Sequence, residues 1–403
     1  MYPKLRFKEF SDAWEQRKFK DVGTVSMCKR IFKEETSEEG DIPFFKIGTF
    51  GGIPDAFISR ELFDEYKSKY SYPEPGDILL SASGTIGRIV EYEGEEAYFQ
   101  DSNIVWLSHD KSVDNKFLKV LYSIVKWDGI EGSTIKRLYN DNFLKTQFML
   151  PSIEEQKKIG SFFEQLDNLI TLHQRQCETL KKQKQFFLQN MFPKEGESSP
   201  KIRFKGFSDS WKQCKLHEIC SMNARIGWQN LRTSEFLDSG DYLLITGTDF
   251  VNGKVNFKSC HYVDKYRFDQ DLKIQVQNGS ILITKDGTLG KVAIIESLPK
   301  PATLNAGVFN VVIKSKDIDN YYLYQYLKAP FLMNYVNKRS TGGTIKHLNQ
   351  SILVDFPVLK PSLQEQQKIG AYFERLDNLI TLHQRQYEQL VSLKKYLLTK
   401  MFI

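Results

Sequence analysis

The sequence lacks the features that mark several classes of protein. Its 403 residues contain no apolar run of about 18 residues, so neither a transmembrane helix nor a membrane partner is expected. Residues 1–6 lack the apolar core of a signal peptide. The five cysteines include no Cys-x-x-Cys pair, which favours reduced structural thiols over zinc ligands or disulfides. These absences predict a cytoplasmic protein.

The common catalytic motifs are also missing. We find no Gly-x-Gly-x-x-Gly loop, no Walker A sequence, no Gly-x-Ser-x-Gly and no Asn/Asp-Pro-Pro-aromatic tetrad. The formal charge of +6, from 56 basic and 50 acidic residues, permits a nucleic-acid partner without requiring one. We therefore predict no catalytic residue and no resident metal.

What the chain does contain is an internal repeat. Residues 151–192 and 361–402 match at 26 of 42 positions, with an offset of 210. Upstream, Pro3–Val22 and Pro200–Ile219 match at 11 of 20 positions, and both contain Arg-Phe-Lys-x-Phe-Ser-Asp-x-Trp. A period of about 200 residues indicates a duplicated domain and excludes a solenoid.

The middles of the two copies have diverged almost beyond alignment. Two short stretches remain alike: Gly76–Ile89 matches Gly279–Val292, and Thr134–Leu138 matches Thr344–Leu348. The repeat predicts a globular region at 1–150, a long helix at 151–192, a linker at 193–199, a second globular region at 200–360 and a second long helix at 361–403.

Both copies of the 42-residue segment show a seven-residue apolar repeat, which predicts a coiled coil. Each begins with a capping box, Ser152 with Glu155 and Ser362 with Glu365. Two amphipathic helices of equal length most simply pack antiparallel. The residues predicted for this seam or for partner docking are Ile159, Phe163, Leu166, Ile170, His173, Leu180, Ile369, Phe373, Leu376, Ile380, His383 and Leu390.

The two histidines of that set are expected to meet near the pseudo-two-fold axis. The midpoints of the segments fall at 172 and 382, next to His173 and His383. A polar pair that fixes the register of an apolar seam is one reading, and a metal or pH role is the other.

The globular regions read as α+β. Short apolar runs broken by turns, such as Ile42–Ile47, Ser280–Thr284 and Gly307–Lys314, predict strands. Val113–Val125 and Asn320–Val336 are helical in pattern. The predicted fold is two domains of mixed strands and short helices, separated by two long helices in an antiparallel coiled coil, with pseudo-two-fold symmetry.

Basic, amide and hydroxyl side chains in the globular regions are candidates for DNA contact. Glycine turns at 83–88 and 286–291 allow close approach to a phosphate, although a purely structural turn fits equally well. Arg, Gln and Asn read base edges, although each cluster also fits a solvated surface. The candidates are Arg30, Lys46, Thr49, Ser83, Thr85, Arg88, Lys136, Arg137, Arg225, Trp228, Gln229, Asn230, Arg232, Thr248, Lys285, Thr288, Lys291, Lys346 and His347.

Two other functions stay open at this point. Asp55, Glu65 and Lys67 imitate the Pro-Asp…Glu-x-Lys pattern of a metal-dependent nuclease, but the second copy lacks the pattern. A structural coiled-coil adaptor without a nucleic-acid role would also account for the long helices.

The duplicated helices, the Arg-Phe-Lys-x-Phe-Ser-Asp-x-Trp motif and the Gly-Thr-Ile-Gly-Arg turn together resemble the specificity subunits of type I restriction–modification systems. The resemblance extends over essentially the whole chain. It implies two target-recognition domains, each reading one half of an asymmetric bipartite site in double-stranded DNA. It implies no catalysis by this chain itself.

The same resemblance implies the partners and cofactors. Two methyltransferase subunits would dock on the paired helices, and two restriction (motor) subunits would join outside them. S-adenosylmethionine, ATP and Mg²⁺ would act on those partners and not on this chain. The half-site sequences and the spacer cannot be read from these motifs.

Overall fold

The two halves of the chain fold alike in a computed structural model that describes residues 1–130, 136–339 and 348–402. The chain divides into a first unit, Met1–Gln174 with Arg385–Ile403, and a second unit, Arg175–Gln384. Each unit therefore holds one globular domain and a part of each long helix. No described helix is long and apolar enough to cross a membrane.

The first globular domain is built from short strands and helices. Its strands are β1 Glu15–Lys18, β2 Gly23–Ser26, β3 Ile42–Phe45, β4 Phe57–Ile58, β5 Ile78–Ser81, β6 Ile89–Glu91, β7 Tyr98–Phe99, β8 Ile104–His109 and β9 Gln147–Leu150. Its helices are α1 Arg60–Lys69, α2 Asn115–Tyr122 and α3 Asn140–Lys145, and the long helix α4 follows at Ile153–Asn190.

Three sheets organise this domain. The largest is antiparallel with the strand order β2-β8-β5-β6. A second has the order β4-β3-β7, in which β3 and β7 run parallel. The third pairs β1 with β9 in antiparallel register from Glu15 opposite Leu150 to Lys18 opposite Gln147. That last pair brings the start of the domain beside the start of α4.

The second globular domain has corresponding elements and some additional ones. Its strands are β10 Lys212–Lys215, β11 Cys220–Ala224, β12 Tyr242–Ile245, β13 Phe250–Val251, β14 Lys254–Val255, β15 His261–Val263, β16 Gln275–Val276, β17 Ile281–Thr284, β18 Val292–Ile294, β19 Ala302–Leu304, β20 Val308–Ile313 and β21 Pro357–Lys360. Its helices are α5 Leu216–Ile219, α6 Lys265–Asp269, α7 Asn320–Lys328, α8 Pro330–Arg339 and α9 Gln350–Val354, and the long helix α10 follows at Leu363–Met401.

The diverged middles share one topology. The strand order β11-β20-β17-β18 in the second domain repeats β2-β8-β5-β6 in the first, and β14-β13 extend that sheet. Likewise β15-β12-β19 repeats β4-β3-β7, including its parallel pair, and β16 extends it. The predicted α+β class is confirmed, and β3, β17 and β20 lie inside the predicted apolar runs Ile42–Ile47, Ser280–Thr284 and Gly307–Lys314.

In the first unit the two long helices pack antiparallel. Asp167 on α4 forms an ion pair with Lys394 on α10 at 2.5 Å. Farther back along α4, Phe163 meets Phe402 with ring centroids 6.1 Å apart. Because the contact moves forward along α10 as it moves back along α4, the helices run in opposite directions.

The second unit repeats this packing with the equivalent residues. Lys184 on α4 binds Asp377 on α10 at 2.5 Å, and Phe187 contacts Tyr372 with centroids 5.2 Å apart. The second carboxylate oxygen of Asp377 accepts a hydrogen bond from Gln325 on α7 at 2.7 Å. The antiparallel packing that the repeat predicts is thus present within each unit.

Most of the predicted seam residues lie in the hydrophobic cores of their own units. Ile159, Phe163, Leu166, Ile369, Phe373, Leu376 and Ile380 are buried, and Ile170, Leu180 and Leu390 are partly buried against the same cores. His173 belongs to the first unit and His383 to the second, so their predicted meeting stays a prediction.

The repeated Arg-Phe…Trp motif fastens each domain to its long helix. Arg6 donates two hydrogen bonds of 2.7 Å to the carboxylate of Glu155, which also accepts one from Trp14 at 3.2 Å. Arg203 binds Glu365 in the same bidentate way, at 2.7 and 2.8 Å. Both glutamates are 1% exposed. We call these two constellations the clamps.

The clamps correct the predicted capping boxes. The serine half is present, since the backbone N–H of Glu155 donates to Ser152 Oγ at 3.4 Å and Glu365 donates to Ser362 Oγ at 3.4 Å. The glutamate half is wrong, because each carboxylate binds an arginine of the repeated motif. A bidentate arginine is a stronger partner than one backbone N–H.

The glutamine that follows each clamp glutamate is hydrogen-bonded to a second loop of the domain. Gln156 accepts a hydrogen bond from the Asp114 N–H at 2.9 Å and donates to the Ser112 carbonyl at 3.1 Å. Gln366 makes the equivalent bonds to Asp319 and Asp317, both at 3.0 Å. The Glu-Gln pair in both copies therefore has a structural task inside each unit.

Candidate nucleic-acid interface

The glycine turn between β5 and β6 is held by one hydroxyl. Ser81 Oγ donates to the carbonyl of Thr85 at 2.6 Å and accepts from the N–H of Arg88 at 2.8 Å. Gly84 and Gly87 have φ values of +67° and +90°, a region that side chains rarely adopt. The sequence of this turn is therefore set by its backbone.

The turn between β17 and β18 repeats these bonds. Thr284 Oγ1 donates to the Thr288 carbonyl at 2.5 Å and accepts from the Lys291 N–H at 2.9 Å. Gly287 and Gly290 both have φ of +69°. A hydroxyl at the end of the strand and two left-handed glycines thus build the same turn in both domains.

The other short repeat lies against this turn. In the first domain Gly84 donates to the carbonyl of Lys136 at 2.9 Å, and Leu138 donates to that of Ala82 at 2.8 Å. In the second domain Leu348 donates to the carbonyl of Lys285 at 2.9 Å. The candidates Lys346 and His347 lie outside the described residues.

Around the two turns, hydroxyl and cationic groups reach the surface. Thr85, Arg88, Lys136 and Arg137 are exposed in the first domain, and Thr288 and Lys291 in the second. Arg88 is also oriented, because its guanidinium donates to the carbonyl of Phe50 at 2.8 Å. The structure thus brings four of the candidates together at the turn of the first domain and two at the matching turn of the second.

Two candidates at the turns point elsewhere. Ser83 is 5% exposed and donates to Asn103 Oδ1 at 2.6 Å, so its hydroxyl serves the fold. Lys285 is half-buried, with its Nζ 5.7 Å from the centroid of the Phe309 ring.

The remaining candidates of the first domain carry acidic partners or local bonds. Arg30 binds Asp101 at 2.9 Å, and Lys46 binds Asp55 at 2.9 Å. Thr49 accepts a hydrogen bond from the backbone of Lys46 at 3.2 Å. All three are at least partly accessible, and their ion pairs are exposed ones of modest strength.

The stretch from Arg225 to Arg232 divides into buried and exposed members. Arg225 is 2% exposed and its Nε donates to the carbonyl of Leu304 at 2.9 Å; burial lowers its pKa. Gln229 is 4% exposed. The structure places both inside the domain and not on a surface, which corrects their assignment to a surface cluster. Asn230 and Arg232 are exposed.

Thr248 and Trp228 are the remaining candidates of the second domain. Thr248 is exposed, and its hydroxyl bonds with that of Thr246 at 2.6 Å. The side chain of Trp228 lies outside the described part of the structure.

A polar groove that the sequence did not reveal adjoins the turn of the first domain. It has a volume of about 630 Å³, and its lining includes Ala82, Arg137, Asn140 and Lys145. In the alignment set by the helices, Asn140 and Lys145 stand opposite Gln350 and Asp355 of the second copy. Since the two copies differ at these positions, comparison of the repeats could not identify the groove residues as functional candidates.

The residues of the nuclease hypothesis are not assembled into a site. Asp55 is paired with Lys46, and Glu65 with Lys69 at 2.9 Å. Lys67 lies over the rings of Phe63 and Tyr72, 5.2 and 4.8 Å from their centroids. Among the described residues no group of three or more His, Cys, Asp or Glu side chains is placed to hold a metal ion.

Comparison with known proteins agrees with this arrangement. The family described as the type I restriction modification DNA specificity domain matches residues 11–182 and 208–392. A putative type I restriction enzyme specificity subunit of Haemophilus influenzae is 60% identical over 155 residues, 38% of this chain and 40% of that protein. The putative MjaX specificity subunit of Methanocaldococcus jannaschii is 25% identical over 98% of this chain and 94% of its own length.

Solved structures show the same fold. The type I restriction–modification S subunit of M. genitalium superposes with a TM-score of 0.67 at 16% identity, over 100% of this chain and 99% of that one. At this identity the likeness concerns the fold alone.

Proposed function

Since the chain belongs to the family of type I restriction–modification specificity subunits, we propose that each of its globular domains reads one half of a bipartite, asymmetric site in double-stranded DNA. As a specificity subunit the chain recognises DNA and is not itself catalytic. The observation that carries the proposal is the pairing of one shared topology with two different surfaces. Two domains of one fold read two different sequences only if the residues at their surfaces differ.

Specificity subunits work with methyltransferase and restriction subunits, and we propose two copies of each here. The long helices offer equivalent surfaces for such docking. Leu169 and Leu172 on α4 are 46% and 48% exposed, and Leu382, the counterpart of Leu172, is 48% exposed on α10. Leu379 and Leu382 line a groove of about 310 Å³ together with Asn378. Identical apolar residues that face outward in both copies suit one kind of partner bound twice.

The chemistry of the system is assigned to those partners. S-adenosylmethionine, ATP and Mg²⁺ are proposed to act on the methyltransferase and restriction subunits, in keeping with the division of labour that the family implies. We place the complex in the cytoplasm, where its DNA is.

An exchange of one domain tests the proposal. Residues 220–354 would be replaced by the corresponding part of another specificity subunit, which leaves Arg203 and Glu365 of the second clamp in place. Cells that carry the chimaera and the methyltransferase subunit are then examined by methylome sequencing. One half of the methylated site should change and the other should persist. A change in both halves, or in neither, would contradict the assignment of one half-site to each domain.

A separate assay addresses the nuclease alternative. The purified chain alone, incubated with duplex DNA and Mg²⁺, should leave the DNA intact. Cleavage that Asp55→Ala abolishes would restore that alternative.

A further inference from the structure

The described parts of the two short stretches that remain alike in the diverged middles come together in space. In the first domain the turn Gly84–Arg88 is bonded to the segment that contains Lys136 and Leu138. In the second domain the turn Gly287–Lys291 follows Lys285, whose carbonyl binds Leu348. We call Gly84–Arg88 with Lys136–Leu138, and Gly287–Lys291 with Leu348, the shared loops. Sequence likeness in these middles is thus concentrated at one place on each domain.

Selection for two different half-sites does not keep these loops alike, whereas a ligand common to both half-sites would. The bases differ between half-sites, but the sugar–phosphate backbone is the same. We propose that the shared loops bind DNA phosphates in both domains and contribute affinity without sequence preference. This inference rests on the proposed function and assigns a particular role to one part of the interface.

The requirements of the fold do not explain the exposed side chains of these loops. The bonds that hold the turns use the hydroxyls of Ser81 and Thr284 and the backbone. Thr85 and Thr288 are exposed, although only their carbonyl oxygens are used in these bonds. Lys291 is exposed too, and only its N–H takes part. Retention of threonine and of a cation at equivalent positions therefore indicates a ligand.

The glycines leave room for that ligand beside the backbone. Apart from the glycine and its two chain neighbours, no described residue has a heavy atom within 4 Å of a Cβ built on Gly84 or on Gly287. Arg88, fixed by its bond to the Phe50 carbonyl, adds an oriented guanidinium at the end of the first turn. Phosphate oxygens are bound by such side chains, Arg or Lys together with a threonine hydroxyl.

The composition of the loops favours DNA over a protein partner. The core of a protein interface is enriched in aromatic residues, methionine and arginine and is depleted in lysine. Here the exposed residues are glycine, threonine, arginine and lysine, and Ile86 and Leu289 are half-buried. Asp286 stands in the second turn where Ser83 stands in the first, so the two loops are alike but not identical.

Salt-dependent binding of the full chain, in complex with its methyltransferase subunits, tests the inference. The variants are Lys291→Gln and the double change Thr85→Val with Thr288→Val, none of which alters a bond that holds a turn. Lys182→Gln on α4, an exposed lysine of the same unit, is the matched control. The probes are a random-sequence duplex and a duplex that carries the site methylated by the wild type.

Lys291→Gln should weaken binding to both duplexes equally, by about five-fold at 0.15 M salt, and should reduce the slope of log K against log [salt] by about 1. The double threonine change should weaken both to the same degree without altering the slope, since it removes no charge. Lys182→Gln should change neither quantity. The sequence of the methylated site should be unchanged in every variant.

Three results would overturn the inference. Unchanged affinity and slope would make the loops purely structural. A changed base preference in one half-site would make them base readers, and loss of the methyltransferase subunits from the complex would make them a protein contact. Absence of sequence-specific methylation in the wild-type complex would instead contradict the proposed function, so the two failures are distinguishable.

Discussion

Removal of the Glu155 carboxylate should loosen the first domain from its long helix. Glu155 is 1% exposed, and its partner Arg6 retains only 13% side-chain exposure. Truncation to alanine leaves the guanidinium and the Trp14 N–H without their acceptor. Breaking a buried ion pair by removing one partner costs about 3–5 kcal/mol, and the partial access of Arg6 to water favours the lower end, about 3 kcal/mol.

The expected shift is measurable by calorimetry. For a unit of 150–250 residues, about 3 kcal/mol corresponds to a fall in Tm of roughly 6–12 °C. Hydrogen exchange would then assign the loss to the unit in question, where the β1–β9 pair should exchange faster. Glu365→Ala should destabilise the second unit by about 1 kcal/mol less, because in the described part of the chain the Trp211 indole N–H has no hydrogen-bond partner to lose.

The control for this experiment is an exposed ion pair of similar geometry. Arg60 binds Glu96 in bidentate fashion at 3.0 and 2.8 Å, but the side chains are 44% and 57% exposed. Glu96→Ala should leave the transition unchanged, because exposed pairs contribute little. If Glu155→Ala shifts the transition no more than Glu96→Ala does, burial does not strengthen the clamp and the reasoning fails.

Three other sets of substitutions should change the stability of the fold, or its pH dependence, in a defined direction. Gly160→Ala and Gly370→Ala should each destabilise the fold by about 1–3 kcal/mol in urea titrations, although alanine normally favours a helix. The reason is that the added Cβ would lie 2.7 Å from a backbone nitrogen in the first case and 2.6 Å from a carboxylate oxygen in the second. A gain in stability would contradict this close approach. Burial, reinforced by a neighbouring lysine, lowers the pKa of Lys328 to about 7. Above that pH the unfolded chain binds more protons than the folded one, so the free energy of unfolding should rise from pH 7 to 9. Lys328→Met should flatten this rise, and an unaltered pH profile would refute the prediction. Arg225→Gln should lower stability by about 1–3 kcal/mol in the same titrations, because it leaves buried acceptors such as the Leu304 carbonyl unsatisfied. Arg232→Gln, at an exposed position, should leave the fold intact. Equal effects on stability would contradict the burial of Arg225.

The long helices and several strands could be predicted from the sequence because they follow patterns among residues that are close in the chain. The heptad spacing fixed the long helices, and the observed ranges Ile153–Asn190 and Leu363–Met401 lie within the predicted segments. Strands such as β3, β17 and β20 followed from short apolar runs between turns, whereas polar strands such as β1 did not. These signals depend on neighbours along the chain, so no knowledge of distant contacts was needed.

The candidate interface was less predictable, because it depends on which way each side chain points. Arg225 and Arg232 are seven residues apart in one polar stretch, yet the first is buried and the second exposed. Composition does not distinguish them. The groove lined by Asn140 and Lys145 forms only when α3 meets the end of β5 at Ala82, a contact between segments about 60 residues apart. Burial and distant contacts of this kind carry no sequence periodicity.

The common topology of the two middles escaped the sequence for a related reason. β2-β8-β5-β6 and β11-β20-β17-β18 need only apolar residues of suitable size at buried positions, and many sequences satisfy that requirement. Exact residues are retained only where a particular group is required, as for the glycines of the turns. A fold can therefore persist after its sequence signal has faded.

The clamps also change the explanation of why the ends of the two copies are alike. The proposed docking of identical partners would account for outward residues such as Leu172 and Leu382, but Glu155 and Glu365 face inward and bind Arg6 and Arg203. Both members of each clamp lie in the repeated ends, outside the region that differs between the copies. A domain inserted between these ends therefore meets the same attachment whatever DNA sequence it reads. The attachment and not only the partner surface must be preserved, and this makes the exchange of recognition domains physically feasible.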